Sequence, residues 1–216
     1  IKIMAYSSIV KPTDYFNTKL YTGDGNSTKA ITGVGFQPDW IWIKNRTDAH
    51  WHNLTDSVRG TSKTLRSNTT AAEAASSSSG YVSAFGADGF TVSAGSSDAE
   101  EVNTNTDTYV SWNWLAGGSA SSNSNGSITS SVSANTTAGF SIVSYTGAGG
   151  TPTIGHGLGG TPEMIIFKCR ETSTDWTTFH KDLGGANKNV SLNTTSAVGT
   201  DTDYFANTNP TSTVFS

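Results

Sequence analysis

The stretch Gly33-Val34-Gly35-Phe36-Gln37-Pro38-Asp39-Trp40-Ile41-Trp42-Ile43-Lys44 occurs twice in this chain. Its second copy, Gly157-Leu158-Gly159-Gly160-Thr161-Pro162-Glu163-Met164-Ile165-Ile166-Phe167-Lys168, aligns without a gap: turn glycines, a proline, an acid, four large apolar residues and a lysine. Further matches hold a nearly fixed offset. Phe16 and Tyr21 precede the first copy as Phe140 and Tyr145 precede the second. After one inserted residue, Trp51 falls on Trp176, Leu54 on Phe179, Gly60 on Gly185, Lys63 on Lys188, and Asn68-Thr69-Thr70 on Asn193-Thr194-Thr195. So many coincidences exclude chance and require a duplicated module.

The module is a β unit. Proline restricts the residue before it to extended geometry and donates no hydrogen bond, so Pro38 suits a strand entry. From Trp40 to Ile43 both faces are apolar, which predicts a strand covered on both sides. Short strands are expected at 15–21, 51–54, 64–67, 81–85 and 90–92, separated by Gly, Asp, Ser and Asn clusters. Residues 109–115 alternate, with Val110, Trp112 and Trp114 on one face and Ser111 and Asn113 on the other, the pattern of a half-buried antiparallel strand. No segment keeps a 3.6-residue apolar period over three turns.

These readings divide the chain into a first β-sandwich over 1–116, a Gly/Ser/Asn linker over 117–126, and a second sandwich over 127–216. The second copy runs as far as the counterpart of Val92 and shows no equivalent of 109–115. An apolar groove with unpaired strand edges is expected there, filled by a natural continuation beyond Ser216 or by a strand from another chain.

Composition removes several functions. The net charge is −4 with scattered Lys and Arg, which supplies no basic stripe for nucleic acid. No apolar run of 18 residues is present, so no membrane insertion by a helix is expected. The start shows no secretory pattern, and Met4 is open as a natural start. Cys169, the single cysteine, reads as a small buried filler.

Candidate chemistry is sparse. Asp39 and Glu163 occupy equivalent positions in separate modules, which favours a structural role over a shared catalytic cleft. Glu100 and Glu101 read as solvated loop residues. His50-Trp51-His52 has a spacing that can hold zinc, but lacks a third ligand. No nucleophile motif or phosphate loop appears, so no catalytic residue, metal or cofactor is expected. Asn-x-Ser/Thr sequons such as Asn26, Asn68 and Asn193 follow from composition. Of the six tryptophans, Trp40, Trp42, Trp112 and Trp114 are assigned to the core because so polar a chain needs their burial. Trp51 and Trp176, with His50 and His52, are the candidates for stacking on a glycan.

Residues 11–17 (KPTDYFN), 33–46 and 109–114 resemble the repeated modules of bacteriophage tail-fibre-like proteins, common in marine phages. That family is similar to concanavalin-like or jelly-roll sandwiches. The resemblance implies two antiparallel sheets per module and a non-enzymatic virion protein, a tail fibre or appendage that attaches to a host-surface glycan or receptor. It also implies self-association, with trimers usual, and contact with other virion proteins, although no heptad is present to enforce a trimer. A capsid decoration or head fibre protein, and a carbohydrate-binding module of a larger protein, are the alternatives.

Overall fold

The computed structural model describes residues 9–216, so Met4 lies outside the described residues. The first module contains β1 (Phe16–Thr22), β2 (Thr28–Thr32), β3 (Trp40–Asn45), β4 (Asn53–Asp56), β5 (Lys63–Thr64), β6 (Ala74–Ala75), β7 (Tyr81–Gly86), β8 (Gly89–Ser93) and β9 (Thr108–Trp114). One antiparallel sheet has the order β1-β9-β3-β4, and the sheet beneath it the order β2-β8-β7. Ile41, Ile43 and Tyr109 from the first pack on Ile31, Val82, Phe90 and Val92 from the second, with Val102 completing the core. This is a β-sandwich, and among the described residues no α-helix occurs.

The second module contains β10 (Ser121–Asn123), β11 (Ser130–Asn135), β12 (Phe140–Tyr145), β13 (Ile154–Gly155), β14 (Met164–Phe167), β15 (Thr177–His180), β16 (Lys188–Ser191), β17 (Gly199–Thr200) and β18 (Val214–Phe215). Its ladders are β10-β11-β12, β14-β15-β16-β17 and β13-β18. The duplication is written into the pairing itself. Phe90 lies opposite Ile31 in the first module, and its counterpart Phe215 lies opposite another isoleucine, Ile154, in the second. Phe179 and Phe205 fill the second core with Ile165 and Phe167 against them.

Three expectations change. The run 117–126 is built into the fold instead of linking modules: β10 pairs with β11, Gly117 N donates to Ser133 Oγ at 2.9 Å, and a Cβ on Gly126 would lie 2.1 Å from the Thr153 carbonyl oxygen. The alternation of β9 is as expected, but its polar face is the more deeply buried. Ser111 and Asn113 are both inaccessible, aligned with Ile43 and Ile41, and Asn113 Nδ2 donates to Asn17 O at 3.1 Å and Ser111 Oγ at 3.0 Å. The indoles of Trp112 and Trp114 point the other way and are only half-buried. Cys169 is exposed, because nothing covers it as Tyr109 and Asp107 cover its counterpart Asn45.

The two modules meet through the outer faces of their sheets. Trp40 and Trp42 pack with Leu54, Leu65, Trp176, Ile166 and Leu192, and Phe140 stacks on Trp40 at 5.7 Å. The strand β3 is thus covered on both faces, as its sequence predicts. Glu73 ties the modules together as well: it accepts from Arg59 at 2.9 Å and from Arg170 Nε and Nη2 at 3.0 and 2.9 Å. Those guanidinium bonds outweigh the effect of burial and hold the Glu73 carboxyl below its ordinary range.

Candidate functional site

The site grows from a buried acid. Glu101 is 1% exposed; its Oε1 accepts from Arg66 Nε at 2.8 Å and Nη2 at 2.5 Å, and its Oε2 from Asn53 Nδ2 at 2.9 Å. Burial pushes the carboxyl up, and the Arg66 guanidinium opposes that shift. Arg66 also donates to Ser77 Oγ at 2.9 Å. Fixed in this way, its guanidinium carbon sits 4.5 Å from the centroid of the Trp51 ring, a cation–π contact that holds an otherwise exposed indole in place.

Trp51 lies in the loop between β3 and β4, outside the strand expected at 51–54, and is 49% exposed. It borders a cleft of about 240 Å³ lined by Ala49, His50, Trp51, Ser79, Glu100 and Glu101. His50 Nδ1 is 3.1 Å from Glu100 Oε2. A rigid aromatic face beside the exposed Glu100 carboxylate and an imidazole can stack on the apolar face of a sugar ring and accept from its hydroxyl groups.

The other sequence candidates are placed differently. His52 turns away from His50: its Nδ1 accepts from Trp42 Nε1 at 2.8 Å and lies 3.0 Å from Ser67 Oγ, and burial lowers its basicity. The two histidines therefore share no ligand. Trp176 is 4% exposed, sealed in the layer between modules with Nε1–H donating to Arg66 O at 2.8 Å. Equivalent tryptophans thus address one arginine, Trp51 its guanidinium and Trp176 its carbonyl.

The sequons at Asn68 and Asn193 serve the backbone: Asn68 Oδ1 accepts from His52 N at 3.1 Å and Asn193 Oδ1 from Trp176 N at 2.9 Å. Asp39 is fully buried; its Oδ2 accepts from Ala116 N at 2.8 Å and Gly118 N at 3.2 Å. The role expected for it is structural, and these bonds are that role.

Sequence reasoning missed Glu101 and Arg66. Glu101 sits in a polar run that reads as solvated, and no local pattern marks the arginine that buries it. It also missed that Asp48, His50 and Asp107 bring ligand atoms within 4.8 Å of one another. Such a group can approach a divalent cation, but Asp107 is already engaged by Asn45 Nδ2 at 2.8 Å and His50 by Glu100. A second hollow of about 430 Å³, bordered by Pro162, Phe179, Lys181 and Pro210, holds one cation, Lys181, which pairs with Glu163 at 2.7 Å.

Residues 11–216 match a family model described as a domain of unknown function, DUF7483. No curated protein and no solved structure matches the chain.

Proposed function

Because the chain belongs to the DUF7483 family, whose description assigns no activity, we propose from its own geometry that it is a non-enzymatic, glycan-binding attachment protein. The observation that carries this reading is Trp51, half exposed at the lip of a cleft with the exposed Glu100 carboxylate and fixed from one side by Arg66. Stacking of this kind gains from rigidity, since the indole loses little further freedom when a sugar covers it.

Two further observations favour binding over hydrolysis. The duplicated acids Asp39 and Glu163 do not converge on a cleft: one is spent on backbone amides and the other pairs with Lys181. The candidate cleft lies on loops carried by a sheet, the usual place for recognition. The resemblance to phage tail-fibre modules adds the setting, a virion appendage carrying many copies in which weak contacts sum to avidity.

A glycan array with the purified chain tests the reading. Binding to one glycan class is expected, weakened at least ~10-fold by Trp51→Ala and retained in part by Trp51→Phe. An array with no hit, or binding that survives Trp51→Ala in the folded variant, overturns it.

A further inference from the structure

We infer, on the glycan-binding reading above, that the cleft beside Trp51 selects sugars bearing a free amine over neutral ones and turns acidic sugars away, with Glu100 as the residue that sets this preference. Which charges around the cleft are spent and which are open decides it. Glu101 and Arg66 cancel each other, since Nε and Nη2 of the guanidinium both donate to Oε1 of the buried carboxylate. The open charge in the lining is Glu100, whose side chain is 48% exposed. Its Oε2 has His50 Nδ1 at 3.1 Å, and among the described residues no donor is bonded to Oε1.

The surroundings add charge of the same sign. Asp48 and Asp107 bring carboxylate oxygens within 4.8 Å of a His50 ring nitrogen, and Asp98 lies close enough to Glu101 to oppose its ionisation. Against them stands Lys44, whose Nζ is held on the carbonyls of Asn45 and Asp48. A ligand approaching Trp51 therefore meets a negative field within a Debye length, about 8–10 Å at ordinary salt.

Glu100 is also fixed in place. Its carbonyl accepts from Asn45 Nδ2 at 3.1 Å and from Tyr109 Oη at 3.2 Å, both residues buried, and its N–H donates to Asp98 Oδ1 at 3.1 Å. Glu101 N donates to Ser79 O at 3.0 Å, which ties the other lining loop to the same segment. With the indole held by Arg66, a sugar stacked on it presents its substituents to a carboxylate whose backbone is already anchored. A hydroxyl donates an ordinary hydrogen bond to that carboxylate. An ammonium donates a stronger, charge-assisted one, whereas a uronate or sialate carboxylate meets its own charge. Because Glu100 is half exposed, the gain for the amine is modest, roughly three- to five-fold.

The experiment uses the intact chain and immobilised hexosamine oligomers, their N-acetylated forms and uronate oligomers of the same length. It runs at about pH 6.5, below the range of roughly 7.7–8.0 typical of an α-amino group, so that the sugar amine is charged. The amine form is expected to bind about three-fold or more tighter than its acetylated counterpart, and the uronate about ten-fold or more weaker than the amine form. Glu100→Gln is expected to bring the ratio of amine to acetylated binding close to one, and raising salt from about 0.05 to 0.5 M is expected to do the same in the parent chain. With binding still weakened by Trp51→Ala, equal binding of all forms, a preference for the uronate, or an amine preference that survives Glu100→Gln or high salt overturns the charge selection and leaves the glycan reading standing. Uronate binding that requires calcium and vanishes with a chelator overturns it as well, because a metal then bridges the carboxylates. Binding to none of these oligomers, nor to any glycan of a broad array, removes the glycan reading itself and the preference with it.

Discussion

Arg66 is the residue on which the candidate site and the module interface both depend. Its guanidinium neutralises Glu101 and supports Trp51, and its carbonyl receives the Trp176 indole. Removing one member of a buried pair strands the other charge, so Arg66→Met is expected to cost about 3–5 kcal/mol in urea unfolding. Adding Glu101→Gln to that variant recovers most of the loss, because no uncompensated carboxylate then remains. Two histidines give the protein a second residue-level signature. His52 accepts from Trp42 Nε1–H, and His156, 2% exposed, accepts from Leu158 N. Burial lowers both below the ordinary value of 6.5. The unfolded chain therefore takes up these protons at higher pH than the fold does. Their contribution to stability is complete above pH 6.5 and declines as pH falls below it. Urea midpoints measured from pH 7.5 to 5 are expected to fall, with a smaller slope in His52→Gln. Neither arrangement was legible from sequence: a histidine acts as a neutral acceptor only once an indole, ten residues away in the chain, is brought to it across a strand pair.

At the scale of the element, β3 was readable because apolar residues on both faces require two cover layers, and the fold supplies the first core on one side and the second module on the other. β9 shows where such reading stops. Period-two alternation separates Val110, Trp112 and Trp114 from Ser111 and Asn113, yet it cannot say which face turns inward. Here the polar face does, with the Asn113 amide N–H donating to Asn17 O and to the Ser111 hydroxyl within the sheet, while the indoles join the layer between modules. The run 117–126 was misread for a related reason: composition reports what a segment lacks in apolar bulk, not the carbonyls and hydroxyls waiting for it. Gly126 packs against the backbone of Thr153, so any side chain must displace main chain. Gly126→Ala is expected to cost about 1–3 kcal/mol and to open 117–126 to limited proteolysis, whereas the parent chain resists cleavage there.

For the whole molecule, two copies of one module do not make two independent domains. The aromatic layer of Trp40, Trp42, Phe140 and Trp176, and Glu73 bridging Arg59 and Arg170, join them. Urea unfolding of the parent chain is expected to be a single transition by fluorescence and circular dichroism alike. Trp176→Ala removes the most deeply buried indole of that layer and its hydrogen bond to Arg66, at about 3–5 kcal/mol, and is expected to separate that transition into two. A single transition in the variant would show that the remaining contacts suffice for coupling. The duplication, the β class and the buried central strand were fixed by the sequence alone, since periodicity, proline and glycine placement and a repeated offset are local properties that any fold of this chain must satisfy. The tertiary structure decided which copy exposes its tryptophan and which face of β9 turns inward. Those outcomes depend on what each surface meets across space, and two nearly matching segments meet different neighbours as soon as the modules stack.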